Sequence, residues 1–369
     1  MNTIPAINAG TTEPSLHQTG FMEGKTRIGL VDPCLQKDWD SLVMSHPGSS
    51  FFHGAAWARV LRDSYGFSPR YVVATRDNQL LGLLPIMEAR SPITGSRGVS
   101  LPFTDECAAL TSNEIDRATL SEVALEQGRT RNWKYWEYRS GDKLSEAELE
   151  SVSFHGHHLS LHGTVKRLFD QLESSVRRAI RKGERSGVKV ELVRKFEAVM
   201  SFFTLHCRTR KKHGLPPQPY SFFQNIYEQI VEKGQGFIAL ARQDGVPVAA
   251  GVYFHLGTKA VYKFGASDER FQNVRGSNLV MWEAIKWLAE NGFTELNFGR
   301  TSLANEGLRK FKLGWGSEEY RLSYSKYDFR KRAFVREIDR AAGWHNRFFA
   351  LMPIPLSRWA GAFLYKHIA

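Results

Sequence analysis

The apolar positions between residues 259 and 298 change their period twice. Ala260-Val261-Tyr262-Lys263-Phe264 reads as a strand, Phe271-Gln272-Asn273-Val274-Arg275-Gly276-Ser277-Asn278 as a glycine-bearing turn, and Thr294-Glu295-Leu296-Asn297-Phe298 as a second strand. Between the turn and the second strand, Leu279, Met281, Trp282, Ile285, Leu288 and Ala289 recur at helical spacing, and Asn291-Gly292 supplies a helix stop. That order sets a helix N-terminus, with its unpaired N–H groups and positive dipole end, beside two neighbouring parallel strands. Such a corner holds a phosphate-bearing ligand, and the segment predicts binding of an activated acyl donor.

A second pattern occurs twice. Ser50-Phe51-Phe52-His53, a helical stretch, Gly66-Phe67 and an apolar run from Tyr71 broken by Asp77-Asn78 match Ser221-Phe222-Phe223-Gln224, a helical stretch, Gly236 and a run from Phe237 broken by Asp244-Gly245. Each predicts a helix followed by a β-hairpin whose turn residues tolerate positive φ. The copies lie about 170 residues apart, which predicts two similar α/β domains. The expected division is a disordered segment 1–26, a first domain 27–163, a second domain 164–328 and a basic amphipathic helical tail 329–369. After Leu101-Pro102-Phe103-Thr104-Asp105 the first copy runs through a polar helix near 112–128 to Trp133–Tyr138 with no glycine-rich turn at the helix start. The donor is therefore expected in the second copy.

Composition narrows the class. The 369 residues are 42% apolar, enough for two cored domains. Cys34, Cys107 and Cys207 form no CxxC pair, so a reducing, cytoplasmic setting is expected. Residues 1–26 lack the basic and apolar regions of a secretory signal, and no apolar run reaches the length of a spanning helix. Of the formal charge of +12, residues 164–195 carry +6 and residues 300–369 carry +8, so the remainder is slightly acidic.

Around 174–187, Val176, Ala179, Ile180 and Gly183 share one helical face while Arg177, Arg178, Arg181, Lys182 and Arg185 crowd the others. This is either a solvated face or a docking surface for the phosphates of tRNA, a nucleotide-linked precursor or an anionic lipid. In the tail, Leu356, Trp359, Ala360, Phe363 and Leu364 share a face, with Arg358 and Lys366 beside it. Two readings stand: packing on the chain's own domain, or peripheral contact with an anionic membrane at its inner face.

Taken together, Leu101–Asp105, Ser175-Val-Arg-Arg-Ala-Ile-Arg-Lys-Gly-Glu-Arg-Ser-Gly187, Arg210-Lys-Lys-His-Gly-Leu-Pro216, Asn297-Phe-Gly-Arg-Thr-Ser302 and Leu308-Arg-Lys-Phe-Lys-Leu-Gly-Trp-Gly316 resemble the FemAB-type tandem GNAT proteins. These include peptidoglycan aminoacyltransferases and exopolysaccharide-associated relatives. The resemblance covers most of residues 28–328. It implies an α/β fold of two tandem GNAT-like (acyl-CoA N-acyltransferase) domains, each a mixed twisted sheet flanked by helices, followed by a helical tail. It also implies transfer of an acyl or aminoacyl group to an amine or hydroxyl of a cell-envelope precursor, peptidoglycan or exopolysaccharide. The pantetheine turn of the family reads Gln/Arg-x-x-Gly-x-Gly/Ala, whereas this chain has Asn273-Val-Arg-Gly276-Ser-Asn278. Members that take amino acids from tRNA relax the same turn, so acyl-CoA and aminoacyl-tRNA both stand as donors, held by Arg275, Gly276, Ser277 and Asn278.

Acyl transfer needs a deprotonated nucleophile, donors for a developing oxyanion, and cations for phosphates. Arg300 follows Gly299 at a strand's end, where α/β sheets open onto ligand crevices. Asn297 offers an amide nearby, and Tyr262 a hydroxyl on the neighbouring strand. Lys312 resembles the family lysine that faces the donor, and Asp105 the family acid beside the acceptor cleft. Arg208 and His213 are read as an anion-facing cluster with Arg210, and Arg177, Arg178, Arg181 and Lys182 as the phosphate surface. Asp268 and Glu269 are loop acids, either solvated or a base for the attacking amine. His155, His157 and His158 complete no ligand set, so no metal is expected; His206 and Cys207 are adjacent on a helix and point apart, so Cys207 reads as a buried structural cysteine rather than a thiol nucleophile. A non-catalytic basic module for nucleic acid or anionic membrane is the alternative; it has no need for Tyr262, Asn297, Arg300 and Lys312 to converge.

Overall fold

The computed structural model describes residues 22–23, 26–77, 79–112, 115, 117–337 and 344–368. Most of the segment expected to be disordered, and Asn78 of the first hairpin turn, lie outside the described residues.

The amino-terminal half contains β1 (Thr26–Val31), α1 (Ala55–Tyr65), β2 (Tyr71–Arg76), β3 (Gln79–Leu84), β4 (Met87–Ser91), β5 (Gly95–Val99), α2 (Arg117–Thr130), β6 (Tyr135–Arg139) and β7 (Glu150–Ser160). The carboxy-terminal half contains α3 (Ser174–Arg185), β8 (Lys189–Val193), α4 (Phe196–Lys212), α5 (Tyr220–Ile226), β9 (Gly236–Gln243), β10 (Val246–Leu256), β11 (Lys259–Ser267), α6 (Gly276–Glu290), β12 (Glu295–Ser302), α7 (Glu306–Leu313) and β13 (Glu318–Asp328). Helices α8 (Trp344–Leu351) and α9 (Ile354–Leu364) follow.

Both copies of the repeated unit fold as a helix leading into a hairpin. Asp77 (φ 47°), Asp244 (φ 49°) and Gly245 (φ 79°) take the left-handed conformation that the hairpin turns require. The copies pack on each other: Trp57 of α1 meets Phe222 of α5 with ring centroids 5.8 Å apart, inside one apolar core drawn from both halves. Strands β9 and β10 are apolar on both faces because both are covered. Phe237, Ala239 and Tyr253 point into the core under α6, while Ile238, Leu240 and Phe254 point into the core shared with the first half.

The halves are joined by strand exchange. Among the described residues one sheet runs in the order β8-β9-β10-β11-β12-β7-β13-β6-β5-β4, with Ser68–Pro69 at its end; β1, β2 and β3 belong to a smaller second sheet. Strand β7, from the first half, pairs antiparallel with β12 of the second, and β13, from the second, pairs antiparallel with β6 of the first. The two exchanged strands then pair with each other at the centre, with Phe154 opposite Leu322 and Gly156 opposite Tyr320. The boundary expected at 163/164 divides the chain sequence, whereas the sheet crosses it.

Among the described residues two parallel pairings interrupt the antiparallel ladder, one in each half. β5 and β6 pair only at Gly98–Trp136 and Val99–Glu137, and β11 and β12 only at Lys259–Glu295, Ala260–Leu296 and Val261–Asn297. Beyond these residues each pair separates into a fork.

The tail packs on the body through an unexpected face. Ser357, Gly361 and Tyr365 are buried, while Leu356, Trp359 and Phe363 are exposed. The apolar stripe read from the sequence is therefore not the packing face of α9.

Candidate active site

The two forks differ in what fills them. In the first half, residues 100–107 of the same chain occupy the fork. Leu101 (φ 60°) and Phe103 (φ 58°) are left-handed, and Arg139 pins the loop by donating from Nη1 to the carbonyls of Leu101 (3.4 Å) and Thr104 (3.2 Å). Backbone bonds complete the plug, as Arg139 N–H donates to Ser100 Oγ (2.7 Å) and Cys107 N–H to the Arg139 carbonyl (2.9 Å). This plug carries Asp105 and Glu106 into the middle of the molecule.

In the second half the fork opens onto a cleft of about 670 Å³ whose lining includes Thr209, His213, Ser267, Gln272, Asn305 and Phe311. Gln272 brings into that lining the turn that leads to α6. Arg275 is left-handed (φ 57°), no side chain caps the helix, and the Gly276 and Ser277 N–H groups have no intrahelical partner, while that of Asn278 bonds to the Arg275 carbonyl (3.1 Å). Gly276 packs closely there, where a Cβ would sit 3.1 Å from Val248 Cγ2 and 3.3 Å from Ala249 Cβ. The preceding turn is tied to α4 through Asp268, which accepts from Arg208 Nη1 (2.5 Å) and Arg270 Nη2 (2.6 Å). Those bonds hold its carboxyl down at about 2. Arg208 thus serves Asp268, whereas His213 lines the cleft.

The basic helix α3 spans from the end of α7 to the turn before α6. At its beginning the Glu173 N–H donates to the Gly314 carbonyl just after α7 (3.0 Å). Near its end Gly183 lies under the Val274 and Arg275 carbonyls, where a Cβ would be 3.5 and 3.6 Å away. Arg178, Arg181 and Lys182 are exposed and Arg177 is half-exposed along this span. A cationic helix and a helix start with free backbone N–H groups therefore lie next to each other, a combination suited to phosphates.

Across the sheet from α6, the plug meets the second-half strands. Gly299 (φ 70°) lies at a bulge in the β12–β7 pairing, and a Cβ on it would come within 2.1 Å of Asp105 Oδ2. Asn297 Oδ1 accepts from the Gly299 N–H (2.6 Å), and the Arg300 N–H donates to the Asp105 carboxylate. The Arg300 side chain sits 3.7 Å from Asp105 Oδ1 and over the rings of Phe154 (4.1 Å) and Tyr324 (5.1 Å). From α7, the buried Lys312 Nζ donates to the carbonyls of Gly299 (2.9 Å) and Arg300 (2.8 Å).

Charge in this pocket is unevenly solvated. Burial pushes Asp105 up, but Lys263, Arg300 and Lys312 outweigh it and hold the carboxyl below its usual range. Lys312 moves the other way, because burial outweighs Asp105 and brings the ammonium down to about 8. Lys263 is also lowered by burial; its Nζ donates to the Phe103 carbonyl (2.5 Å) and lies 5.5 Å from the ring centroids of both Phe52 and Trp57. Glu106 is raised by burial, with Asp142 and Glu295 adding to it, although it accepts from Tyr320 Oη (2.5 Å).

Asn297, Arg300, Lys312 and Asp105 thus converge around Gly299. Tyr262 sits apart from them on the α6 side of the fork, with its ring 5.3 Å from Tyr253 and 6.4 Å from Phe298 and its hydroxyl folded over Gly265. Burial raises that hydroxyl to about 12 and keeps it protonated. Sequence reasoning missed Glu106, Lys263, Arg139 and Tyr320. Lys263 had left a signal, a lone cation in an otherwise apolar strand; Glu106 adjoins a residue already selected; Arg139 and Tyr320 had left none. His157 is buried with neither ring nitrogen hydrogen-bonded, and burial first, then Lys312, lowers it to about 4. Among the described residues no group of three or more His, Cys, Asp or Glu gathers as metal ligands.

Residues 171–322 match the family model described as an acetyltransferase (GNAT) domain. No curated protein matches the chain. Among solved structures, the crystal structure of FemX superposes with a TM-score of 0.63 at 15% identity, over 78% of this chain and 95% of that one. The C-terminal domain of a putative lysylphosphatidylglycerol synthetase from Agrobacterium fabrum gives 0.53 at 14% identity, over 82% and 93%. A tandem GNAT protein from the clavulanic acid biosynthesis pathway gives 0.53 at 11% identity, over 82% and 98%. At these identities the shared property is the fold, a tandem GNAT acyltransferase architecture.

Proposed function

We propose that this chain, a FemAB-type tandem GNAT protein, transfers an acyl or aminoacyl group to an amine or hydroxyl of a phosphate-bearing cell-envelope precursor, peptidoglycan or exopolysaccharide. The observation that carries the reading is the asymmetry of the forks: one is plugged by its own loop, whereas the other has a cleft past its strand ends and an uncapped helix N-terminus next to a cationic helix.

In this reading the phosphates of acyl-CoA or aminoacyl-tRNA lie against Arg275, Gly276, Ser277 and Asn278, with Arg177, Arg178, Arg181 and Lys182 nearby. The fit rests on the uncapped start of α6 and the 670 Å³ cleft beside it. The acyl carbonyl reaches the fork beside Phe298, and the acceptor approaches from the Asp105 side. Glu106, its carboxyl raised, takes the proton from the acceptor amine or hydroxyl as the new bond to the acyl carbon forms. Arg300 and Lys312 supply positive potential for the developing oxyanion, while Asp105 holds Arg300 in place. Tyr262, still protonated, gives its proton to the departing thiolate or ribose oxygen as that bond breaks. The chemistry needs positioning and charge stabilisation and no covalent enzyme intermediate.

The test supplies the purified protein with radiolabelled acetyl-CoA or, separately, labelled aminoacyl-tRNAs, and a cell-envelope extract as acceptor. Transfer from one donor, abolished in Arg300→Met, is the expected result; label entering the extract from neither donor would remove the proposal.

A further inference from the structure

Helix α9 is amphipathic in reverse. It lies on the body through small or hydrogen-bonded residues. Ser357 is 1% exposed, a Cβ on Gly361 would come within 2.0 Å of the Pro217 carbonyl, and Tyr365 Oη donates to the Pro216 carbonyl (3.2 Å) while accepting from Arg210 Nη2 (2.7 Å). The end of the chain is also tied to the first half, where the His367 carbonyl accepts from Thr94 Oγ1 (2.8 Å) and Arg97 Nη2 (2.7 Å).

The large apolar side chains point the other way. Trp359 is 75% exposed, Leu356 58% and Phe363 44%, and Leu351 at the end of α8 is 85% exposed. Trp359 and Phe363 stack on each other in the open, with centroids 6.4 Å apart. Scattered exposed leucines need no explanation, but a contiguous aromatic and aliphatic face on a firmly docked helix does.

Charge identifies what covers it. Residues 341–369 include Arg347, Arg358 and Lys366 and contain no aspartate or glutamate. Lys366 Nζ lies 5.3 Å from the Phe363 ring centroid, so a cation borders the apolar face directly. A second copy would bring an identical acid-free patch, cation against cation. An anionic bilayer satisfies both features, since tryptophan and phenylalanine settle at the headgroup level and the cations meet lipid phosphates.

We propose that the face formed by Leu351, Leu356, Trp359 and Phe363, flanked by Arg358 and Lys366, docks the protein on an anionic membrane surface. The docking has a consequence for the acceptor, and this part rests on the acyltransferase reading. The Tyr365 ring packs 5.5 Å from that of Phe103, two residues before Asp105 in the plug. Seating α9 on a bilayer therefore sets the acceptor side of the site next to the membrane, where a precursor carried on a lipid anchor presents its polar head.

The full-length protein is sedimented with vesicles of phosphatidylcholine alone and of phosphatidylcholine with an equal part of phosphatidylglycerol. Binding to the anionic vesicles at least about tenfold above the neutral ones is expected. The triple variant Leu351→Ser, Trp359→Ser, Phe363→Ser should lose that binding about tenfold or more with an unchanged melting temperature. Arg358→Glu with Lys366→Glu should abolish the preference for phosphatidylglycerol, and it decides the matter if the triple variant melts early. Absence of binding by the wild type, or full binding by both variants, overturns the proposal. So does a dimer that the triple variant dissolves while vesicles bind neither protein, which assigns the face to a second copy. Because the assay contains no donor or acceptor, its outcome is independent of whether acyl transfer is found.

Discussion

Lys312 offers a quantitative test of the pocket's electrostatics through the substitution Lys312→Met, which keeps the stem and removes the charge. The side chain is 4% exposed, and its ammonium is brought from 10.5 down to about 8. A shift of this size corresponds to about 3 kcal/mol of preference for the neutral form in the folded state. The sign follows from proton counts. Between pH 8 and 10.5 the unfolded chain holds this proton and the folded chain has released it, so stability rises with pH. Below pH 8 both states are protonated and the full penalty for burying the charge applies; above 10.5 it is gone. The methionine variant has no such dependence, although it leaves the Gly299 and Arg300 carbonyls without their donor, at a cost of about 1–3 kcal/mol each at any pH. Urea denaturation of both proteins at pH 7, 8, 9 and 10 isolates the difference. The wild type should gain on the variant by about 1.4 kcal/mol per pH unit above pH 8, approaching a total of about 3 kcal/mol. A stability difference that stays flat from pH 7 to 10 would refute the claim that Lys312 is a buried, reluctantly charged group.

Three further outcomes are expected. Gly299→Ala forces a left-handed residue against Asp105 Oδ2 and should lower transfer at least about tenfold and stability by about 1–3 kcal/mol, measured by single-turnover label transfer and urea denaturation. Glu106→Gln should remove the acidic limb of the kcat/KM–pH profile, a limb displaced above the ordinary carboxylate range in the wild type; an unaltered limb assigns the base elsewhere. Glu88, whose buried carboxylate is bonded to Arg131 (2.7 Å), Arg90 (2.9 Å) and Trp133 (3.1 Å), is shifted from 4.5 down to about 2. It contributes about 3 kcal/mol above pH 4.5, lost as pH falls toward 2. Glu88→Gln should therefore be less stable at pH 7 and should flatten the acid limb of the stability curve, read from melting temperatures at pH 3 to 7.

The strand, turn, helix and strand at 259–298 were legible because each period is local: alternation, a helical stripe and a glycine turn are properties of neighbouring residues. The duplication was legible for the same reason. Strand exchange was not, because nothing in residues 150–160 or 318–328 states which half supplies their partner; an edge accepts any strand of suitable register. Arg300 and Lys312 were reachable from a strand end and a resemblance, but their convergence on Asp105 depends on a plug that folds across the chain. Arg139 illustrates the limit. It sits in an aromatic strand where its side chain had no visible task, and its role exists only because residues 100–107 fold back into the first fork. The tail shows the opposite failure. Its apolar stripe was correctly located, yet an amphipathic pattern does not say whether the stripe faces a core or a bilayer; Gly361 and Ser357, the residues that let α9 lie flat, carry that information only once Pro217 is beside them.

The exchange of β7 and β13 explains why the two halves cannot be two independent sites. β12 carries Asn297, Gly299 and Arg300, and its outer edge is closed by β7, which also brings Phe154 beneath the Arg300 guanidinium. β13 carries Tyr320 and Tyr324, whose hydroxyls donate to Glu106 and to the Asp105 carbonyl of the first-half plug. Each half thus finishes the other's sheet and delivers a side chain that the other's polar cluster needs. With the first fork filled, the second is the fork left open among the described residues, and the repeat that gave up its own opening supplies Asp105 to the strands of the other.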